Sequence, residues 1–180
     1  MKFAYADPPY LGQAKSRYGD SAYDSIDAHR ELVQRLEREY SDGWAMSASS
    51  PSLRLILPLC PEDCRVAAWV KPFAAFRPNV KPAYAWEPVI FRGGRPRTRK
   101  DETWHDWHSE NITMRRGFVG CKPPGFAQWI VRLLNADVTK GDTITDLFHG
   151  SGAMLGVWRP DAAQMMAQGN GGQVKPGGAA

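Results

Sequence analysis

No stretch of this sequence is apolar for long enough to cross a bilayer. Nor does Met1-Lys2 carry the basic, apolar and small-residue succession of a secretory leader; it runs straight into a strand pattern, so a cytoplasmic protein is expected. Cysteine is scarce. Cys60, Cys64 and Cys121 cannot all pair, which fits a reducing compartment. Cys60 and Cys64 flank a Pro-Glu-Asp turn, but the helix and strand context around them and around His105 and His108 is wrong for a zinc finger, so no metal is expected. Neither sign of charge dominates: 23 Lys and Arg against 19 Asp and Glu leave +4, too little to establish a nucleic-acid partner by itself. Repeats are also missing. What remains is 180 residues with 43% hydrophobic content, enough for one core and one domain.

The patterns that are present alternate between strand and helix. Strands are expected over 2–6, 43–48, 65–70, 84–91 and 143–148, with Pro88 placing the fourth at a sheet edge or at a bulge. Ile26, His29, Leu32, Val33, Leu36 and Tyr40 recur at helical spacing behind a cap at Asp24 or Ser25. Pro51 opens a short helix stopped by Pro58 and Pro61, and Phe126, Trp129, Ile130, Leu133 and Leu134 define one face of a helix over 125–136. Residues 11–23 read as a mobile loop and 92–120 as an irregular insert rich in Arg, Gly, Trp and His. A short helix is expected over 153–158, and the Gly-rich residues 161–180 read as a disordered tail behind a single domain of 1–160. Strands alternating with helices imply an α/β domain with a mainly parallel sheet.

Two motifs sit at strand ends. Asp7-Pro8-Pro9-Tyr10 follows the first strand: the prolines fix φ and remove two donors, leaving a stiff turn with a carboxylate, carbonyls free of a helix and a ring. Such a turn serves either to grip a planar molecule bearing an amino group or simply to turn the chain at the surface. Asp146-Leu-Phe-His-Gly-Ser-Gly152 follows the last strand; Gly150 and Gly152 allow close approach of a ligand, and the turn lacks the Lys of a phosphate-binding loop. In open α/β sheets ligands bind beyond the carboxyl ends of strands, so one crevice can hold both motifs.

The paired motifs, in this order, resemble those of the S-adenosylmethionine-dependent amino-methyltransferases that act on DNA bases, in their circularly permuted form. The resemblance spans about residues 2–158 and includes Lys122-Pro123 ahead of an amphipathic helix. It implies a three-layer Rossmann-like fold, permuted, with adenine N6 in DNA as the methyl acceptor and a phage or mobile-element type of enzyme. By that resemblance Asp7 and the Pro8 carbonyl accept the amine hydrogens within the Asp7-Pro8-Pro9-Tyr10 catalytic turn, and Tyr10 stacks on a flipped base. Phe148 and Gly150, Ser151 and Gly152 contact the cofactor, Asp146 its methionine amino group and Lys122 its carboxylate. The insert stands where permuted relatives recognise their target, so Arg95, Arg97, Arg99, Lys100, Arg115 and Arg116 are candidate nucleic-acid contacts, and Trp104 and Trp107 either stack on bases or plug the core.

One departure stands out. Val157-Trp-Arg-Pro160 breaks the last helix and only Asp161 remains as an acidic residue beyond it, where relatives have a strand ending in a ribose-binding acid. The strand at this C-terminal edge is short or missing by this comparison, which leaves three alternatives: a reduced cofactor affinity, a homodimer or companion subunit that completes the site, or a fold retained without turnover. Methylation of cytosine N4 or of RNA, and a catalytically inactive nucleic-acid-binding relative, remain the alternatives.

Overall fold

The computed structural model describes residues 1–149 except 14, 16–18, 20–21, 74–79 and 116–117, and for 114–115 and 118–120 only the backbone. The Gly150–Gly152 turn, the expected helix 153–158 and the tail lie outside the described residues.

The order along the chain is β1 (Lys2–Ala6), α1 (Ile26–Glu39), β2 (Gly43–Ser47), α2 (Leu53–Ile56), β3 (Arg65–Val70), β4 (Trp86–Gly93), β5 (Trp107–Ser109), β6 (Thr113–Arg115), β7 (Phe118–Cys121), α3 (Pro124–Leu133) and β8 (Thr143–Asp146). Six strands form one sheet in the order β5-β3-β4-β2-β1-β8, while β6 and β7 form a separate hairpin. Three pairings, β1 with β2, β1 with β8 and β3 with β5, are parallel. Only β4 runs against its neighbours. Five strands therefore point their carboxyl ends at one edge, where β4 begins.

Helices cover both faces, giving three layers. Ser25 caps α1 by accepting the Ala28 N–H at 3.1 Å, and His29, Leu32, Val33 and Leu36 turn inward. They meet Ala4, Ala6, Trp44, Met46 and Ile90 on one face of the sheet, together with Ile56 of α2. On the other face, Phe126, Trp129, Ile130 and Leu133 of α3 pack on Phe3, Tyr5, Trp69, Val89 and Phe91. Each such large side chain, fully buried, contributes about 1.5–3 kcal/mol. Pro124 opens α3 at a position where the missing N–H costs nothing.

Two expectations need correction. Pro88 marks neither an edge nor a bulge: β4 lies inside the sheet, with Pro88 level with Ala68 in an unbroken register. The Pro88 carbonyl still accepts the Ala48 N–H at 3.0 Å, beyond the end of β2, so the ladder loses only the one donor that proline lacks. Segment 92–120 is not wholly irregular either. It completes β4, supplies β5 and most of the β6–β7 hairpin, and so passes from one edge of the sheet to the other.

At the edge away from the carboxyl ends, the buried Asp142 gathers the Met1 amino group at 2.8 Å, the Asp137 N–H at 2.9 Å and the Arg95 guanidinium. Gly94, at φ 114°, passes so close to Leu134 that a Cβ would stand 2.8 Å from its carbonyl oxygen.

Candidate active site

Because β1 and β8 are adjacent and parallel, the two motifs leave the sheet side by side. Tyr5 is level with Asp146, and the Leu147 N–H donates to the Tyr5 carbonyl at 2.9 Å. Asp7-Pro8-Pro9-Tyr10 leaves β1 directly above this bond. Below Asp7, the buried Tyr5 and Ser47 hydroxyls share a hydrogen bond of 2.7 Å. Burial, reinforced by the nearby Asp7 charge, pushes the Tyr5 phenol well above its usual range, so it stays neutral.

The Lys122 ammonium is the centre of the arrangement. It donates to Asp7 Oδ1 at 3.1 Å, to the Tyr10 hydroxyl at 3.1 Å and to Glu87 Oε2 at 3.3 Å. Its charge also lies 5.2 Å from the centre of the Trp69 ring, 5.6 Å from that of Tyr10 and 5.7 Å from that of Phe126. Burial disfavours its charge, but Asp7 and Glu87 outweigh that effect and hold the ammonium above its ordinary range. Lys122 is thus placed by the end of β7 on one side and by Pro123, which caps α3, on the other. The resemblance assigned it to a cofactor carboxylate; here its bonds are to Asp7, Tyr10 and Glu87.

Glu87 is the residue that the sequence reading missed. It accepts the Tyr10 hydroxyl at 2.6 Å and the Lys71 ammonium at 2.7 Å. Burial pushes its carboxyl upward, but Lys122 and Lys71, with the Tyr10 hydroxyl, overcome this and hold it down at about 2. A signal for it exists in the sequence. Strand alternation puts Glu87 on the face of Val89 and Phe91, and a carboxylate on a core-facing strand position demands a cation. Two carboxylates and two ammoniums thus neutralise one another around Tyr10.

On the neighbouring strand, Asp146 is buried and accepts the Phe148 N–H at 3.1 Å. Burial raises its carboxyl above the usual carboxylate range, with the Asp7 charge adding a smaller push. A buried carboxylate in this condition suits an incoming ammonium, so the donor set fits the amino end of an amino-acid-like cofactor. Phe148 lies edge-on to Tyr23 at 5.2 Å between ring centres.

The arginines divide. Arg95 is bonded to Asp142, and Arg97 to the Arg132 and Leu133 carbonyls at the end of α3. Both are thus bonded within the protein at the edge opposite Asp7, Arg95 half-buried and Arg97 exposed. Arg99 and Lys100 are exposed in the turn that follows, while Trp104 covers the Arg132 guanidinium at 3.7 Å and Trp107 stacks on His105. Neither tryptophan plugs the core: they are 39% and 51% exposed. The hairpin carrying Arg115 stands at the carboxyl edge, since Thr113 pairs with Cys121, next to Lys122. Arg116 lies outside the described residues.

No protein family and no curated protein matches the sequence. Solved structures do. The M1.HpyAVI–SAM complex aligns over 87% of this chain and 76% of its own, with a TM-score of 0.56 and 11% identity. A second structure of M1.HpyAVI aligns over 94% of this chain and 87% of its own, with a TM-score of 0.52 and 12% identity. At these identities the likeness establishes the fold alone: a Rossmann-like α/β fold shared with M1.HpyAVI.

Proposed function

We propose that the chain is an S-adenosylmethionine-dependent methyltransferase that methylates the exocyclic N6 of adenine in DNA, with residues 1–160 as its catalytic unit. One observation carries the reading. Asp7-Pro8-Pro9-Tyr10 and the buried Asp146 leave adjacent parallel strands at the same edge, tied by the Leu147–Tyr5 bond. A fold shared with a protein solved in complex with SAM supports it.

The bound cofactor supplies an electrophilic methyl group. The chain's own part is to make a poor nucleophile attack. An exocyclic amine delocalises its lone pair into the base; accepting its two hydrogens at the Asp7 carboxylate and the Pro8 carbonyl favours a pyramidal nitrogen with that pair available. Lys122 uses Asp7 Oδ1, so Oδ2 is left to meet the amine. Asp7 then takes the proton that the alkylated nitrogen sheds. Glu87 and Lys122 together hold the Tyr10 hydroxyl, so the ring presents a fixed platform for the base. Asp146 receives the cofactor's amino group, Phe148 flanks it, and Gly150, Ser151 and Gly152 complete that side. Arg115 and Arg116 are the residues proposed to meet phosphate.

The test is transfer of a labelled methyl group from S-adenosylmethionine to duplex DNA, followed by digestion and identification of the modified nucleoside. The expected product is N6-methyladenine, and Asp7→Ala is expected to lower the rate by roughly 10²–10⁴-fold. Wild-type protein that binds the cofactor yet labels no DNA sinks the reading. N4-methylcytosine, or preferential labelling of RNA, redirects it.

A further inference from the structure

Three large rings lie open near the carboxyl edge without a role in the site described above. Phe73, Tyr84 and Trp86 are 74%, 52% and 39% exposed. Tyr84 and Trp86 line a cavity of about 390 Å³ together with Ser50, Lys81 and Pro82. Phe73, Lys81, Pro82 and Tyr84 belong to the connection between β3 and β4 and Trp86 opens β4; the Phe73 N–H ties that connection to Asn111, ahead of the β6–β7 hairpin, at 2.8 Å. From Lys71 to Trp86 the sequence has three basic residues, Lys71, Arg77 and Lys81, and no acidic one. The next residue, Glu87, is already neutralised by Lys71 and Lys122.

Strand geometry fixes how this face relates to Asp7. Successive residues of β4 point to opposite faces, so Trp86 turns away from the side on which Glu87 meets Tyr10. Asp7 continues β1 to the level of Ser47, which pairs with Val89. Two strand spacings across and three residues along place Trp86 on the order of 15 Å from Asp7. That separation equals about four stacked nucleotide steps of ~3.4 Å. Rings of this kind stack on bases without regard to sequence, and a base pulled from a duplex leaves its neighbours partly unstacked and ready to accept such a ring. A lysine among the rings complements phosphate.

We propose that Lys81, Tyr84 and Trp86 form a nucleic-acid subsite that holds the nucleotides flanking the target base. The bases stack on Tyr84 and Trp86, and Lys81 meets a phosphate. The proposal rests on the reading of DNA as the substrate, and it places the grip in the β3–β4 connection rather than at Arg95 and Arg97, which are occupied elsewhere.

The experiment uses the full chain, a labelled DNA duplex containing adenine, and separate measurements of DNA affinity, cofactor affinity and methyl transfer. Tyr84→Ala with Trp86→Ala is expected to weaken DNA binding at least tenfold, and Lys81→Ala to flatten its salt dependence. Cofactor affinity and the rate at saturating DNA stay near wild type, and Trp86→Phe restores most of the DNA affinity. Unchanged DNA affinity in the double variant, or no DNA binding by wild-type protein, overturns the subsite. If the wild type binds DNA but transfers no methyl group while the double variant loses binding, the subsite stands and the catalytic reading falls.

Discussion

Tyr10 donates its hydroxyl to Glu87 Oε2 at 2.6 Å, across a gap of 77 residues in sequence. The bond joins the Asp7–Tyr10 turn after β1 to the start of the antiparallel β4, two strands away. It makes the tyrosine ring part of the sheet edge rather than a free side chain. Lys122 then links the same carboxylate to Asp7, so a change at Glu87 reaches both residues proposed to handle the base.

Glu87→Gln keeps an acceptor for Tyr10 but leaves Lys71 and Lys122 short of a negative charge. Removing one partner of a buried ion pair is costly, and a loss of about 3 kcal/mol in stability is expected. Chemical denaturation of the variant against the wild type measures it; equal stabilities would show that the cluster contributes nothing. In methyl transfer, Lys122 then leans on Asp7 alone, so the rate at saturating substrate falls along with stability.

The same carboxylate predicts an acid dependence. Its folded value of about 2 lies below an ordinary 4.5, so its contribution is complete above pH 4.5 and is lost as pH falls toward 2. The gap corresponds to about 3 kcal/mol. Asp142, held low chiefly by its bond to Arg95, loses stability in the same direction. Asp146, raised by burial, works the other way: protonation there relieves a cost. The stability difference between wild type and Glu87→Gln is therefore expected to be constant above pH 4.5 and to vanish near pH 2 in acid-unfolding curves. A difference that persists at pH 2 contradicts the assignment.

Tyr10→Phe removes only the hydroxyl. The ring loses its bonds to Glu87 and Lys122 but keeps its stacking face. A stability loss of about 1 kcal/mol is expected, with a KM for DNA raised several-fold and little change in cofactor affinity. Tyr10→Ala, which removes the stacking face as well, should weaken DNA binding further; identical kinetics for the two variants would remove the ring from the mechanism.

Arg95→Ala separates a structural role from a nucleic-acid role. The guanidinium is bonded to the buried Asp142, and its loss leaves that carboxylate with the Met1 amino group and the Asp137 N–H. The melting temperature is expected to drop by several degrees, while the salt dependence of DNA binding stays unchanged. A reduced salt slope would return Arg95 to the nucleic-acid surface.

Much of this was written locally in the chain. The first strand, the helix capped by Ser25 and the strand 65–70 follow their hydrophobic periods, because each buries one face or two against a single partner. Pro88 misled because its meaning depends on whether a neighbouring N–H reaches its carbonyl, and Ala48 is 40 residues away. Glu87 was hidden for a related reason: its partners come from 10, 71 and 122, and only the sheet order brings them together. The intramolecular partners of Arg95 and Arg97 were not legible either, because charge density is a property of sequence, whereas partnership is a property of the fold. Arg95 finds Asp142 only once α3 has crossed the sheet.

The sheet order also bears on synthesis. β1 precedes every other described strand along the chain, yet one of its two neighbours, β8, follows them all. Until Thr143–Asp146 has left the ribosome, β1 carries one hydrogen-bonding edge without its β8 partner, beside the Asp7–Tyr10 turn. Parallel pairings between such distant segments close slowly and leave exposed edges open to association. The pairing that brings the two motifs together is thus also the step on which productive folding of the chain waits.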